Sequence, residues 1–429
     1  SLLRMSYLYD HLSGGYFAMM PPEQKGEANF AKRLPDQIAA IQTLATAFQL
    51  HPSQEIALNL QQTIDFVERN LSHPDGGYIT ALYAESQGEK GRFYLWSDID
   101  VEHVLKDQAR FFARYYAISH EGNWLKGLNL PHQPLSLKAV AAGFRIPEVE
   151  LAGIMDQTRE KMLAERRRRA APKRDEKIII SWNAKMVLAL LRAGRALEDK
   201  LLLERARETL TWLFARAFNE EDQLFRYRYE GQGYGQGMLE DYAYLSQACL
   251  QWYIQSLDER WLQRGIQLLR SALPLFFEAE SNLFQDHIDG KGWGSPALHT
   301  YLQGQGQAVL ISSLRLASRL QHLPTFRQIA ADQIARVKAA ALRHPLEYAP
   351  WAIEGRNWVA PRPLVQVAPD HHETLLAFLH DYHVLHPLVI SAELPLPEST
   401  FGGPVWAAGS PNESGDFPDL VPLIQDFDW

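Results

Sequence analysis

Carboxylate, amide and aromatic side chains stand together where helical patterns begin in this chain. Trp182 and Asn183 open one apolar helical run, and Glu240, Asp241 and Tyr242 open another. Carboxylates can serve as acid and base, amides bind hydroxyl groups, and an aromatic face packs against the apolar CH face of a sugar. This set of side chains predicts a site for a polyhydroxylated ligand.

Roles for these residues follow from their helical spacing. Adjacent residues on a helix point about a quarter-turn apart, so Glu240 and Asp241 would not both face one substrate. We therefore predict a catalytic group from different loops, made of Asp241, Asp175 and His299. The predicted ligand-binding residues are Trp182, Asn183, Glu240, Tyr242, Arg174, Gln305 and Tyr301. A structural interpretation stays open, because Ser181 can cap a helix and acidic residues in a first turn complement the helix dipole.

The elements that must position these residues recur along the chain. "NEEDQLFRYRY" (219–229) and "EAESNLFQDHI" (278–288) each place an acidic turn before a Leu-Phe step, and each follows two helical patterns. The first helix of each pair is apolar almost all round, as in "MVLALLRAGRAL", and the second is amphipathic. An apolar helix must be buried and an amphipathic one lies at the surface. The repeat therefore predicts alternating inner and outer helices in an α/α toroid, with the loops before the inner helices around a central funnel.

The predicted fold class is mainly α, with an (α/α)6 toroid over residues 1–355 and short β-hairpins in its loops. Four helix pairs are visible, and the segment from Asp98 to Glu165 has room for another. After about Gly355, the extended runs "PRPLVQVAP" and "PLVISAELP" bracket the helical "HHETLLAFLHDYHVLH". This pattern predicts a small βαβ segment within residues 356–429, followed by an irregular tail rich in Pro, Gly and Ser.

Composition and charge exclude several partners. A net charge of −8 provides no positive field for nucleic acid, and the apolar runs are too short for a membrane span. The single cysteine, Cys249, allows no disulfide framework, so we expect a cytoplasmic protein.

No cofactor and no metal site are predicted, since the histidines of the C-terminal helix lack matched ligands on a second element. "GQGYGQG" (231–237) is interpreted as a flexible loop at the funnel entrance, not a phosphate-binding loop.

Four ordered blocks carry a resemblance to a known family. They are "GGYITALYAESQGEKGRFYLW" (76–96), "EGNWLKGLNLPH" (121–132), "RRRRAAPKRDEKIIISWNAKMVLALLRAGRAL" (166–197) and "GMLEDYAYLSQACLQWYIQSLDERWL" (237–262). In these blocks the chain resembles the spermatogenesis-associated, thioredoxin-domain-containing family, known in bacteria as YyaL-like proteins. The resemblance implies a six-hairpin toroid similar to glycosidases and sugar 2-epimerases, which in the family follows a thioredoxin-like domain. The chain has no cysteine pair for such a domain, so the resemblance implies a thioredoxin-like protein or domain as a partner.

The chain also departs from the family pattern. It reads "LYAESQG" (82–88), "PKRDEK" (172–177) and "LQGQG" (302–306) where the family tends to have Leu-Asp-Ala-Asp-Ser-Glu-Gly, Pro-His-Arg-Asp-Asp-Lys and Pro-Ser-Gly-Asn-Ser. The family positions that match are Asp175, Trp182, Asn183, Asp241 and Tyr242. Two hypotheses result. One is a sugar-binding funnel in carbohydrate metabolism, with glycoside hydrolase or sugar epimerase or isomerase chemistry; the other is a non-catalytic scaffold that partners a thioredoxin-like domain.

Overall fold

A computed structural model describes residues 8–20, 28–278, 282–287, 305–359, 364–381, 388–393, 405–408, 411, 417 and 420. The chain divides into two compact units. The first comprises residues 1–48 and 52–177, and the second comprises residues 49–51 and 178–429. The domain boundary predicted near residue 355 stays a prediction.

Helices are the main elements of both units. The first unit contains α1 Leu34–Leu50, α2 Gln54–Asn70, α3 Asp98–Leu105, α4 Ala109–Tyr116, α5 Leu137–Phe144 and α6 Glu148–Arg166. The second contains α7 Ile180–Leu197, α8 Lys200–Arg216, α9 Leu239–Ser256, α10 Glu259–Phe276, α11 Gln305–Leu320, α12 Pro324–Arg343, α13 Ala349–Val359 and α14 His372–Asp381. Short 3-10 helices occupy Lys106–Gln108, Leu125–Gly127 and Pro369–His371. The segment from Asp98 to Glu165, expected to add one helix pair, thus contains four helices.

The strands are short and lie between the helices. In the first unit they are β1 Lys32–Arg33, β2 Ala81–Leu82, β3 Glu85–Ser86, β4 Glu89–Lys90 and β5 Arg174–Asp175. In the second they are β6 Ile178–Ile179, β7 Phe225–Tyr229, β8 Gln232–Gln236, β9 Phe277–Glu278, β10 Leu283–Phe284, β11 Leu364–Val367, β12 Leu388–Ser391 and β13 Val405–Ala407. The antiparallel pairs β3–β4, β7–β8 and β9–β10 confirm the predicted short hairpins.

Two helix pairs of the second unit, α7–α8 and α9–α10, repeat one connection. Glu198 follows the last residue of α7 and Leu257 follows the last residue of α9, each with a left-handed φ of 53°. The next residue is Asp199 in one case and Asp258 in the other, and its side chain accepts hydrogen bonds from the first turn of the following helix. An aspartate at this position satisfies backbone N–H groups that have no partner within the helix. The sequence repeat therefore corresponds to a repeated helix–turn–helix geometry.

Burial separates the two helices of each pair as the sequence predicted. Most residues of α7 and α9 are buried, including small ones such as Gly194, Ala243 and Ala248. The partner helices α8 and α10 bury one face and expose Arg, Glu and Gln on the other. An amphipathic helix gains most of its stability from the packing of its apolar face, so α8 and α10 depend on the buried helices beside them.

The C-terminal segment forms a three-stranded parallel sheet in the order β12-β11-β13. β11, α14 and β12 confirm the predicted βαβ unit. The sheet is tied to α9, because the Tyr253 hydroxyl accepts a hydrogen bond from Ser391 N at 3.3 Å. The prediction of an irregular tail was wrong at Val405–Ala407, which adds a strand to β11. The prediction of a flexible loop at residues 231–237 was also wrong, since Gln232–Gln236 is a strand paired with β7.

Three buried charges lie inside the first unit. Asp10 Oδ2 accepts hydrogen bonds from Lys32 Nζ and Arg166 Nη1, each at 2.8 Å, and none of the three side chains is more than 3% exposed. We refer to Asp10, Lys32 and Arg166 as the closed cluster. The Lys32 ammonium also lies between 4.5 and 5.0 Å from three aromatic ring centroids, those of Phe17, Phe66 and Tyr94. Aromatic faces attract a cation, so the rings help to stabilise the second positive charge.

Burial and charge shift the pKa values of the closed cluster. Burial lowers the pKa of Lys32 to about 8, although Asp10 opposes the change. Burial alone would raise the pKa of Asp10, but the positive charges of Arg166 and Lys32 hold it well below its usual range. The Asp10 carboxylate is therefore ionised under all ordinary conditions, and Lys32 has a pKa of about 8.

Within the described residues, the structure contains no helix with both the length and the apolar character to cross a bilayer.

Candidate functional site

The first turn of α7 is positioned by the strand before it. Ile178 and Ile179 form β6, which pairs with β7, and α7 begins directly at Ile180. β-Branched residues pack well in strands, which accounts for the extended start of the isoleucine run. All three isoleucines are at least partly buried, and Ile180 is fully so. The strand therefore anchors the helix N-terminus beside β7.

β7 and β8 form a hairpin that projects Arg226 toward that helix end. Glu230 and Gly231 connect the strands with φ values of 48° and 76°, the positive values of the tight turn that suits the twist of a hairpin. Tyr227 pairs with Tyr234, and their rings stack at 5.4 Å with an interplanar angle of 14°. Side chains alternate across a strand, so Arg226 and Tyr227 lie on opposite faces.

Asp241 joins the N-termini of two helices. Its Oδ2 accepts a hydrogen bond from Met238 N at 2.8 Å, which caps its own helix α9, and its Oδ1 accepts one from Ser181 N at 2.8 Å in the first turn of α7. Helix N-termini carry unpaired N–H groups and partial positive charge, so one carboxylate stabilises both. Asp241 is 0% exposed.

Arg226 completes this arrangement. Its Nη1 donates to both oxygens of Asp241 at 2.8 and 2.9 Å and to Ser181 Oγ at 3.1 Å. Its Nη2 donates to Glu240 Oε1 at 2.5 Å. One planar guanidinium therefore binds both neighbouring carboxylates, as the fork geometry of arginine allows.

Glu240 and Lys185 form the side of the site that solvent reaches. Lys185 Nζ lies 3.4 Å from Glu240 Oε2 and 4.2 Å from the ring centroid of Tyr244. The side chains of Lys185, Arg226 and Glu240 are 15%, 22% and 24% exposed. We refer to Lys185, Arg226, Glu240 and Asp241 as the open cluster. Its two positive and two negative charges balance, so it has no net charge.

The two carboxyl groups of the open cluster are shifted in opposite directions. Burial raises the pKa of Glu240, but the positive charges of Arg226 and Lys185 outweigh burial and lower it. Complete burial raises the pKa of Asp241, and the neighbouring Glu240 adds to this rise, while Arg226 opposes it. Burial lowers the pKa of Arg226, but the two carboxylates outweigh it and raise the value. Glu240 is thus the ionised group with access to solvent, and Asp241 is the group that holds the helix ends.

The predicted binding residues around this cluster differ in access. Trp182 is half-buried and stands one helical turn before Lys185 on the same face of α7. Asn183 is fully buried, and its Nδ2 donates to Ile179 O at 2.9 Å. Tyr242 is 1% exposed, and its hydroxyl accepts a hydrogen bond from Leu224 N at 3.1 Å. Asn183 and Tyr242 do not reach solvent in this structure, and their ligand-binding roles stay predictions.

Arg174 and Asp175 belong to the first unit. Arg174 donates from Nη1 to Asn70 O and from Nη2 to Ser72 O, both at 3.0 Å, so it binds carbonyl groups at the end of α2. A cation at this position complements the negative end of the helix dipole. Asp175 lies in β5 and pairs with Lys177 Nζ at 2.8 Å. The binding role of Arg174 and the catalytic role of Asp175 stay predictions.

Three predicted residues cannot be assigned contacts. His299 and Tyr301 lie outside the described residues. Gln305 is the first residue of α11, and its side chain lies outside them as well. Among the described residues, no group of three or more His, Cys, Asp or Glu side chains is arranged to hold a metal ion.

Sequence reasoning missed Arg226 and Lys185, the two cations of the open cluster. A signal for Arg226 was present, because the alternation of "FRYRY" (225–229) points two arginines to one face of a strand just before the acidic start of α9. Lys185 follows Trp182 by three residues, a spacing that places both on one helix face. In both cases the pattern predicted a direction for the side chain but not which carboxylate it would meet.

Relatives confirm the resemblance noted in the sequence. The chain is similar to human spermatogenesis-associated protein 20, with 25% identity over 305 residues that cover 63% of this chain and 39% of that protein. It is also similar to an uncharacterized protein of Caenorhabditis elegans, with 24% identity over 317 residues that cover 66% of this chain and 43% of that protein. The chain thus spans about two fifths of the length of these relatives. No family model matches it.

A solved structure confirms the fold class. Cellobiose 2-epimerase from Bacillus thermoamylovorans superimposes with a TM-score of 0.50 at 10% identity, over 79% of this chain and 69% of the epimerase. The chain therefore has the mainly helical (α/α)6 toroid fold found among sugar epimerases and glycosidases. At this identity the likeness concerns the fold alone.

Proposed function

We propose that this protein binds a carbohydrate-like ligand at the open cluster, against the face of Trp182. The observation that carries the proposal is the partial exposure of Glu240 and Lys185 beside a half-buried tryptophan, while Asp241 behind them is completely buried. A sugar presents apolar CH faces together with many hydroxyl groups. It therefore requires an aromatic surface and adjacent donors and acceptors that still have bonding capacity.

Both partly exposed charged groups, Glu240 and Lys185, retain that capacity. A carboxylate has about four lone-pair sites, and the ammonium group of a lysine has three donors. Glu240 accepts from Arg226, Lys185 and the Ser181 side chain, which leaves about one of its four lone-pair sites for a ligand hydroxyl. Lys185 contacts Glu240 and the Tyr244 ring, which leaves it at least one N–H group for a ligand oxygen. Asp241 and Arg226 hold these groups in place, and such preorganisation lowers the entropic cost of binding.

The fold gives this proposal its context. The epimerase that shares the toroid fold acts on a sugar, as its name states. One fold supports many activities, so the assignment depends on the local geometry of the open cluster. Whether the ligand is hydrolysed or isomerised is a separate question from whether it binds.

A thermal-shift screen tests the proposal directly. The purified chain is heated with a panel of mono- and oligosaccharides and sugar phosphates at millimolar concentration. A ligand that binds only the native state stabilises it by RT ln(1 + [L]/Kd), so even weak binders raise Tm. We expect a rise in Tm with at least one class of saccharide, and its loss in Trp182→Ala and Glu240→Gln.

Trp212→Ala provides the matched control. Trp212 is also half-buried in the second unit, but it lies on the amphipathic helix α8. This variant should keep the saccharide response whatever its own Tm. Equal loss of response in Trp182→Ala and Trp212→Ala would place the ligand elsewhere. A flat response of the wild-type chain across the panel would exclude the sugar site and favour the scaffold hypothesis with a thioredoxin-like partner.

A further inference from the structure

A second carboxyl group, that of Asp286, adjoins the start of α9. Asp286 follows β10, and its backbone carbonyl accepts a hydrogen bond from Leu239 N at 3.0 Å. Leu239 directly precedes Glu240, so this backbone hydrogen bond holds Asp286 next to the partly exposed acid of the open cluster. The hairpin itself is held by Gln285 N, which donates to Phe276 O at 2.8 Å. Asp286 is half-buried.

The beginning of α11 lies against the same place. Gln307 Nε2 donates to Phe284 O at 2.8 Å, two residues before Asp286. Gly306 lies so close to α9 that a Cβ atom there would stand 3.0 Å from Glu240 Cβ. Such a contact is tighter than side chains normally allow, so glycine permits the close approach. The ends of β10, α9 and α11 therefore converge on Glu240 and Asp286.

The electrostatic environment distinguishes the two acids. Burial raises the pKa of Asp286, His287 opposes the rise and the carboxylate of Glu240 adds to it. Burial also acts on Glu240, but Arg226 and Lys185 lower its pKa. Charged groups from several elements act on the two acids: Lys185 on α7 and Arg226 on β7 lower the pKa of Glu240, and His287 after β10 opposes the rise at Asp286. One acid keeps its proton to higher pH while its neighbour is ionised, and opposite shifts of this kind separate a proton donor from a proton acceptor.

We propose that Asp286 is the general acid and Glu240 the general base of a glycoside hydrolase site, which rests on the proposed sugar-binding function. Asp286 gives its proton to the glycosidic oxygen as the bond from that oxygen to C1 breaks, and the bonding electron pair leaves with the oxygen. A water molecule forms the new bond to C1 with an oxygen lone pair and gives a proton to Glu240. One acetal and one water become one hemiacetal and one alcohol. Proton exchange with solvent then returns a proton to Asp286 and removes one from Glu240.

Hydrolysis suits this pair better than removal of a carbon-bound proton. Epimerisation next to a carbonyl requires a base strong enough for a weakly acidic C–H group, and basicity falls as the pKa of the base falls. Glu240 is held ionised by two cations, so it is a weak base. The proton of a water molecule becomes acidic as the oxygen bonds to C1, and a weak base then suffices.

Leaving groups of different acidity test the assignment. Dinitrophenyl glycosides have a leaving group that departs without protonation, whereas methyl glycosides and oligosaccharides require an acid. For Asp286→Asn we expect hydrolysis of the second class to fall by about 10²–10⁴-fold, the usual contribution of a general acid, while dinitrophenyl release changes much less. For Glu240→Gln both rates should fall together. The basic limb of the wild-type pH–rate profile should disappear in Asp286→Asn.

Each alternative result has a definite meaning. Equal losses on both substrate classes in Asp286→Asn would mean a merely structural residue and overturn the assignment. A saccharide that raises Tm of the wild type but is never hydrolysed would overturn the acid–base pair and leave the binding function standing. The absence of both a Tm response and hydrolysis would exclude the saccharide-binding function and the acid–base pair together. Glu259→Gln, an exposed acid in the first turn of α10, is the control and should keep wild-type rates.

Discussion

Each unit contains a charge cluster built on a buried aspartate–arginine pair, and the two clusters differ in their access to solvent. In the closed cluster, Asp10 binds Arg166 and Lys32 where none of the side chains is more than 3% exposed. In the open cluster, Asp241 is equally buried, but its arginine continues outward to the partly exposed Glu240. A buried charge must be paired, and breaking such a pair is strongly destabilising. The comparison shows that each cluster pairs a buried aspartate with an arginine, and that only the open cluster adds charged groups with access to solvent.

The two clusters also differ in how their charges balance. The closed cluster contains two cations and one anion, and aromatic rings around Lys32 and Arg166 stabilise the excess positive charge. Nε and Nη2 of Arg166 have no hydrogen-bond partner among the described residues. The open cluster balances two cations with two anions, and each cation contacts a carboxylate. A neutral, partly open cluster can exchange a hydrogen bond for one to a ligand, whereas a sealed one cannot.

Removal of the aspartate from the closed cluster should have the largest effect. Asp10→Asn leaves two buried cations without an anion, so we expect a loss of about 3–5 kcal/mol in the free energy of unfolding. Urea titration followed by tryptophan fluorescence measures it. The control is Asp36→Asn, which removes the partly exposed pair with Arg33 and should cost less than about 1 kcal/mol. Similar losses in both variants would show that burial of the ion pair does not determine how much its removal lowers the free energy of unfolding.

Removal of the arginine from the open cluster should have a smaller, pH-dependent effect. Arg226→Met leaves Asp241 buried without its cation, but the guanidinium is 22% exposed, so we expect a loss of about 2–3 kcal/mol at pH 7. The pKa of Asp241 should rise further, so the native state holds a proton that the unfolded state releases. Stability of the variant relative to the wild type should then fall as pH rises from about 4 to 7. A deficit that is constant over this range would contradict the buried, uncompensated carboxylate.

Lys32 should give the closed cluster a pH dependence of its own. Its pKa is lowered to about 8 in the folded protein against 10.5 ordinarily, so between these values the unfolded state binds more protons than the native state. Stability contributed by this group therefore rises with pH, by about 1–2 kcal/mol between pH 8 and pH 10. Unfolding curves of the wild type and Lys32→Met measure it, and the difference between them should change in this direction. An unchanged difference across the range would mean that Lys32 stays charged throughout.

Replacement of the exposed acid should have the smallest effect on stability. Glu240→Gln removes one charge at a site 24% exposed and leaves Arg226 paired with Asp241, so we expect a change below about 1 kcal/mol. The same variant should lose the saccharide response described above. A loss of stability as large as that of Arg226→Met would show that the open cluster is purely structural.

The fold was largely predictable because its signals are local and repeated. The buried helices α7 and α9 and their amphipathic partners α8 and α10 follow the sequence repeat. The βαβ segment around α14 was identified from alternating extended and helical runs. Strand β13 was missed, since three extended residues in a Pro- and Gly-rich stretch have no local signature and form a strand only by pairing with β11. β8 was missed for a related reason. Glycines weaken a strand pattern, yet Gly233 packs beneath Phe225, where a Cβ atom would clash with the ring.

The candidate site was predictable in part. The acidic and aromatic residues at the starts of α7 and α9 were found from helical spacing. Which of them are buried and which reach solvent was not predicted. Glu240 and Asp241 are adjacent in sequence and carry the same chemical group. Only the tertiary structure distinguishes them, since it buries Asp241 under Arg226 and leaves Glu240 at the surface.

The sequence by itself determined the helix pairs, their buried and exposed faces and the acidic start of α9, because periodicity and capping depend on residues a few positions apart. The tertiary structure alone decided which cation meets which carboxylate. Arg166 reaches Asp10 across 156 positions, and Ser181 reaches Asp241 across 60. Whether such a pair is sealed or open depends on all the segments packed around it, and no local pattern contains that information.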